Sequence, residues 1–223
     1  MFIPLKDENP TYRFPVITVT LVAANVVIFL VSAFVPRGLE MAALRFGAIP
    51  YEITHFRSLA DFRLPPLLTL LTSMFQHGSL FHLAGNMLYL WIFGNNVEDF
   101  LGHVRFVLFY LACGLTAALT QTVAMPNSRI PMIGASGAIA GLLGAYWLLF
   151  PRARVKTFIF LVFYIDVIAV PAGILLGLWF LMQLLNVGMG GGVAWFAHIG
   201  GFMAGLVLIK MAVKLVKSPV GSV

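Results

Sequence analysis

Long stretches without a single Lys, Arg, Asp or Glu constrain this chain more than any other feature. Residues 14–36, 106–128 and 130–151 are such stretches, each bordered by arginine. Each exceeds the roughly 20 residues with which an α-helix crosses a bilayer, so each predicts a membrane span. Two further stretches are longer. Residues 64–97 are too long for one span and too short for two, and Pro65 and Pro66 disfavour a regular helix at their start. A membrane-associated loop is expected there, followed by a second span from about Ser79. Residues 167–209 contain Gly188, Gly190, Gly191 and Gly192, a cluster that suits a turn between two more spans. The expectation is an all-α integral membrane protein with six transmembrane helices. Composition agrees, because 61% of the residues are hydrophobic and 10% charged, against about 45–50% and about 25% in soluble domains.

The net charge of +6 comes from basic residues that flank the apolar runs, a placement that marks membrane orientation and speaks against a nucleic-acid partner. With the N-terminus in the cytoplasm, nine Lys and Arg residues fall inside and five outside (Arg37, Arg45, Arg57, Arg63 and Arg129). Both termini are therefore expected in the cytoplasm. The expected organisation is a cytoplasmic segment over residues 1–13, one six-span domain over 14–216 and a cytoplasmic tail over 217–223. Residues 37–63 form the one sizeable hydrophilic loop, expected to be structured at the membrane surface. The opening residues include Asp7, Glu8 and Pro10 and lack the basic start and cleavage site of a signal peptide, so the first span is expected to stay as an anchor. One cysteine, Cys113, excludes an internal disulfide and a cysteine-based zinc site.

Most residues of the spans need only lipid contact or helix packing to explain them. Polar groups are the exceptions. His77, His82 and Asn86 lie around the start of the second span, and His82 and Asn86, four apart, project from one helix face. Ser136, in Gly134-Ala135-Ser136-Gly137, opens the fourth span, where unpaired backbone N–H groups and the helix dipole favour developing negative charge. His198 lies early in the sixth. The second, fourth and sixth spans all enter from outside in the predicted topology, so these groups share a depth. Small residues allow close approach: Ser136, Ala140 and Gly144, with Gly137 and Gly141 beside them, face the series His198, Gly201 and Gly205. A serine and a histidine directed at each other, with Asn86 and His82 as donors to an oxyanion, predict acyl transfer, here amide hydrolysis within the membrane.

The ordered set His77-x4-His82-x3-Asn86, Gly134-x-Ser136-Gly137 and Ala197-His198-x2-Gly201-x3-Gly205 resembles the rhomboid family of intramembrane serine proteases. The resemblance covers about residues 67–208, and the opening Ile3-Pro4-Leu5-Lys6-Asp7-Glu8-Asn9-Pro10 is similar to the start of many prokaryotic members. It implies Ser136 as nucleophile and His198 as general base in a dyad without a third acid. It implies His82 and Asn86 as oxyanion partners with the Ser136 backbone N–H, and Gly134 beside them in the substrate-binding group. His77 is expected to brace the loop, and Gly201 and Gly205 to be structural. The implied substrates are proteins with a transmembrane segment, cut near its outer end in the lipid bilayer of a bacterial inner membrane, with no metal or other cofactor. Glu98 and Gly102 match the family's Glu-x3-Gly. Three positions depart from the pattern. Leu68 and Thr69 stand where some members have Trp-Arg, so the loop before the second span is expected to be anchored differently. Ala140 stands where some members stack a tyrosine on the catalytic histidine, so the brace of the His198 ring must come from elsewhere.

Rival readings fit less well. A non-catalytic rhomboid-like escort of membrane proteins normally lacks the serine or the histidine, and both are present. A metal-binding transporter would need His77 and His82 on one face, but a separation of five residues puts them about 140° apart on a helix. His55 and His103 are expected in surface turns. Asp166 is expected at the cytoplasmic interface or at a non-helical entry to the fifth span, and Trp179, Trp195 and Phe196 are expected mostly to face lipid or the interfacial belt, with Trp195 and Phe196 flanking the mouth next to His198.

Overall fold

The computed structural model describes residues 2–161, 164–189 and 192–217. Gly190 and Gly191 of the predicted glycine turn, and residues 218–223 of the predicted tail, lie outside the described residues. The chain is a largely helical integral membrane protein. In order it forms β1 (Phe2–Asp7), α1 (Val16–Ala33), α2 (Gly38–Phe46), α3 (Pro50–His55), α4 (Pro66–Thr72) and a 3-10 turn (Ser73–Phe75). There follow α5 (Leu80–Leu101), α6 (His103–Ala124), α7 (Ser136–Leu149), β2 (Arg154–Leu161), β3 (Tyr164–Pro171), α8 (Ala172–Leu185) and α9 (Trp195–Lys217). Among the described residues, α1, α6 and α9 are long and apolar enough to cross a membrane, and α7 and α8 are shorter apolar helices.

Local chemistry sets the helix ends. Ser79 caps α5 by accepting from the His82 N–H at 3.2 Å, a common N-cap role for serine. Gly102, at φ +76°, supplies the reversal that lets α6 follow α5 without a linker. The fourth apolar stretch becomes helical only at Ser136, because Pro131 and the positive-φ Gly134 precede it and Met132 pairs with Ala48 in an isolated antiparallel bridge.

The sequence reading started the fifth span at Val167, and here the structure differs. β2 and β3 pair antiparallel, and β1 adds to β2, giving an antiparallel sheet in the order β1-β2-β3. The run Arg154-Val-Lys-Thr-Phe-Ile-Phe-Leu and its partner Tyr164-Ile-Asp-Val-Ile-Ala-Val-Pro are rich in β-branched residues, which suit a pleated surface better than a helix. Pro171 ends the strand and α8 begins one residue later. Asp166 therefore lies on a strand, opposite Ile159, and the predicted cytoplasmic segment 1–13 contributes β1 to the same sheet.

Residues 37–63 fold as two short helices against the bundle. Buried Arg63 places Nε 2.7 Å from a Glu52 oxygen and donates from Nη2 to the Gly47 carbonyl at 3.0 Å, while Leu59 N–H donates to Glu52 at 2.6 Å. Thr72 Oγ1 donates to Phe46 O at 2.7 Å. These contacts anchor the loop in the absence of the Trp-Arg pair.

Candidate active site

Ser136 is the first residue of α7, so its N–H has no acceptor within the helix. His198 is the fourth residue of α9. The two helices meet backbone to backbone. A Cβ on Gly201 would overlap the Gly137 carbonyl, and one on Gly205 would overlap the Gly141 carbonyl. On the α7 side, a Cβ on Gly144 would overlap the Phe202 carbonyl, and one on Gly141 would strike Cys113 of α6. Side chains in this seam would hold α7 and α9 apart. Their absence brings Ser136 Oγ to 2.9 Å from His198 Nε2, within the reach expected of a nucleophile and its base.

The opposite ring nitrogen is also engaged. His198 Nδ1 lies 2.9 Å from Oε1 of Gln183 on α8, and Gln183 Nε2 donates to the Trp179 carbonyl one turn back, at 2.8 Å. Trp179 and Trp195 border the His198 ring with centroids 5.8 and 6.1 Å away, the first tilted at 38° and the second edge-on at 89°. They occupy the role that Ala140 leaves open. Gln183 escaped the sequence reading although its signal was present, since it is one of the few polar side chains in the otherwise apolar α8. Gln121 of α6 escaped likewise. Its Oε1 accepts from the Ala197 N–H at 3.2 Å and so caps the start of α9.

From α5, Asn86 is buried, and its Nδ2 lies 2.9 Å from His77 Nε2. His77 is 3% exposed and its ring meets that of His82 edge-on at 5.0 Å. It precedes α5 and supports Asn86 and His82 from behind. His82 and Asn86 face Gly134, where an added Cβ would approach His82 Nε2 and Asn86 Nδ2. The Gly134 N–H donates to Ser73 O at 2.9 Å, so Gly134 contributes space to the site and not a free donor. Ser136, His198, His82 and Asn86 all line one cavity of about 960 Å³, whose other walls include Tyr89 and Trp195. His55 and His103 lie away from it. His55 stacks on Tyr51, and His103 Nδ1 pairs with Glu98 at 2.6 Å. Among the described residues, no group of three or more His, Cys, Asp or Glu side chains gathers as a metal site requires.

Residues 65–215 match the family model described as Rhomboid domain. The chain is 31% identical over 148 residues to "Rhomboid protein 1, mitochondrial" of Saccharomyces cerevisiae, covering 62% of this chain and 40% of that protein. It is 33% identical over 152 residues to "Presenilin-associated rhomboid-like protein, mitochondrial" of Mus musculus, covering 66% and 38%. It is 47% identical over 76 residues to "Rhomboid protease GluP" of Bacillus subtilis, covering 34% and 14%. The aligned region thus spans about two fifths or less of these relatives' own length.

Proposed function

We infer that this chain, which belongs to the rhomboid family, is an intramembrane serine endopeptidase built on six spans. It hydrolyses peptide bonds in or near the transmembrane segments of other membrane proteins. The observation that carries this reading is the 2.9 Å approach of Ser136 Oγ to His198 Nε2 on the wall of a cavity large enough for a peptide segment and water.

In the proposed reaction Ser136 Oγ attacks the substrate carbonyl carbon while its proton passes to His198 Nε2. Charge develops on the carbonyl oxygen and is met by the Ser136 N–H, the Asn86 amide and His82, held in place before the substrate arrives. His198 then gives its proton to the departing amine, and water, deprotonated by the same nitrogen, releases the acyl group from Ser136. No cofactor enters any step. The proposed orientation, with both termini in the cytoplasm, is supported by the nine-to-five distribution of basic residues. It puts the site below the outer surface, where a substrate helix entering from the lipid would expose its outer end.

The test is a fluorophosphonate probe together with a model transmembrane substrate. Wild-type protein is expected to label and to cleave. Ser136→Ala is expected to lose both, and His198→Ala to lose cleavage, with detergent-extracted protein remaining folded. Cleavage above a few per cent of wild type in purified Ser136→Ala would overturn the reading.

A further inference from the structure

We propose that Gln183 is a positioning residue of this site, holding His198 in the one tautomer that can act as base toward Ser136. The inference rests on the protease reading above and goes beyond its dyad.

The orientation of the Gln183 amide is set by chemistry. Nε2 can only donate and Oε1 can only accept. The Trp179 carbonyl, an acceptor, lies 2.8 Å from the nitrogen, so the oxygen faces His198 Nδ1 at 2.9 Å. The reversed amide would set Oε1 against the Trp179 carbonyl and leave two acceptors facing each other. With Oε1 directed at it, Nδ1 must carry the proton, because the hydrogen bond at one imidazole nitrogen decides the state of the other. Nε2 is then the bare nitrogen, and it is the one 2.9 Å from Ser136 Oγ. A histidine protonated at Nε2 would present a hydrogen to the serine and could not take one.

Gln183 is suited to hold this state. It is 5% exposed, its far end is fastened to its own helix at Trp179, and the Trp179 ring borders the imidazole at a 38° tilt. A neutral amide does by dipole what a carboxylate does by charge in a three-residue array. It fixes the tautomer but gives less stabilisation to the imidazolium formed during attack. A buried carboxylate without a second cation would be costly in this apolar surround, which gives a physical reason for an amide at this depth.

The test compares Gln183→Leu and Gln183→Glu in full-length protein, reading cleavage of the model substrate across pH. The groups facing His198 are His82 from α5, Ser136 from α7, Trp179 and Gln183 from α8 and Gln121 from α6. Of these His82 is the one imidazole, and it is the same in all variants. Gln183→Leu preserves volume and removes the acceptor. Its kcat is expected to fall on the order of tenfold to a hundredfold, the scale of a misplaced or wrongly protonated base, with KM little changed. Gln183→Glu, protonated as a buried carboxyl in an apolar surround is, keeps a carbonyl acceptor for Nδ1–H and a hydroxyl that can donate to the Trp179 carbonyl as Nε2 does. It is expected to recover kcat above the Leu variant. If Gln183 only packs α8 against α9, Leu is tolerated and a buried Glu is the worse substitution. Glu below Leu, or Leu with wild-type kcat, would overturn the proposal. The separate loss of activity in Ser136→Ala keeps the two readings distinguishable, since Ser136 can prove essential while Gln183 proves dispensable.

Discussion

The two ends of α7 are held by opposite means. At the Ser136 end the partners are bare backbone, with Gly137 and Gly141 pressed on Gly201 and Gly205, and the polar side chains border a cavity. Ten residues on, about 15 Å along the helix, Tyr146 donates to Asp7 of β1 at 2.9 Å. At that end the joints are buried hydrogen bonds between distant segments. Glu98, near the end of α5 and 1% exposed, accepts from Ile17 N, Thr18 N and Thr18 Oγ1 at 2.7–2.9 Å, so that it caps α1 from another helix. A site that must admit a peptide and water cannot be filled with interlocking side chains. It relies on backbone contact below the cavity and on a rigid far end. Substitutions at the two ends should therefore fail differently, the first in rate and the second in stability.

The largest effect is expected at the seam. Gly201→Leu places a side chain where even a Cβ would overlap the Gly137 carbonyl, so α7 and α9 must part and His198, three residues away, must lose Ser136. A displacement of about 1 Å can cost about a hundredfold in rate, and cleavage is expected to fall by at least that much in protein that still inserts. Gly205→Leu, farther from the histidine, should show itself first as a lower melting temperature. Met203→Phe, at a position 47% exposed, should change little. Near-normal cleavage by Gly201→Leu would mean that this seam does not set the dyad.

A smaller loss of activity and a larger loss of stability are expected from Glu98→Ala. Three donors of α1 would be left facing an apolar space, each at about 1–3 kcal/mol if nothing replaces the carboxylate. The melting temperature should drop well below wild type while cleavage per folded molecule, measured at low temperature, stays close to it. A variant that melts normally and does not cleave would show that the two ends are coupled, and the contrast would be lost.

The smallest effect is expected at Asp7. Burial raises its carboxyl above the ordinary 3.8, with the Tyr146 hydroxyl and nearby backbone pulling the other way. A raised folded value means that the native state holds the proton more tightly than the unfolded chain. This contribution to stability is present below 3.8 and is lost as pH rises through the folded value. Asp7→Asn keeps an acceptor for Tyr146 and removes the charge. It should melt slightly higher than wild type at neutral pH and lose the slope across that window. Melting curves from pH 3 to 8 decide it, and a lower melting point for Asn at neutral pH would mean that the carboxylate is favourable where it stands.

Much of the site was legible because its cues are local. The positions of His82 and Asn86 on one face of α5, Ser136 at a helix start and the small stripes of α7 and α9 all follow from helical periodicity and from the cost of polar groups in lipid. The sheet was not legible in the same way. Residues 167–171 read as the start of a span until the strand they pair with, β2, is known, and β2 itself pairs with β1, about 150 residues earlier in the chain. Arg63, counted among the outer basic residues, turned out to be a buried partner of Glu52, because charge counting does not see which cation a carboxylate has claimed.

The sequence by itself determined that this is a membrane protein of the rhomboid family, and its charge-free runs and motif spacing mark where its polar groups fall along each helix. Only the tertiary structure decided which nitrogen of His198 meets Ser136 and which meets Gln183. Depth and helix face are properties of one segment and are written in its periodicity. The rotation of α8 against α9, which brings an amide to within a hydrogen bond of a ring nitrogen, depends on how two surfaces pack.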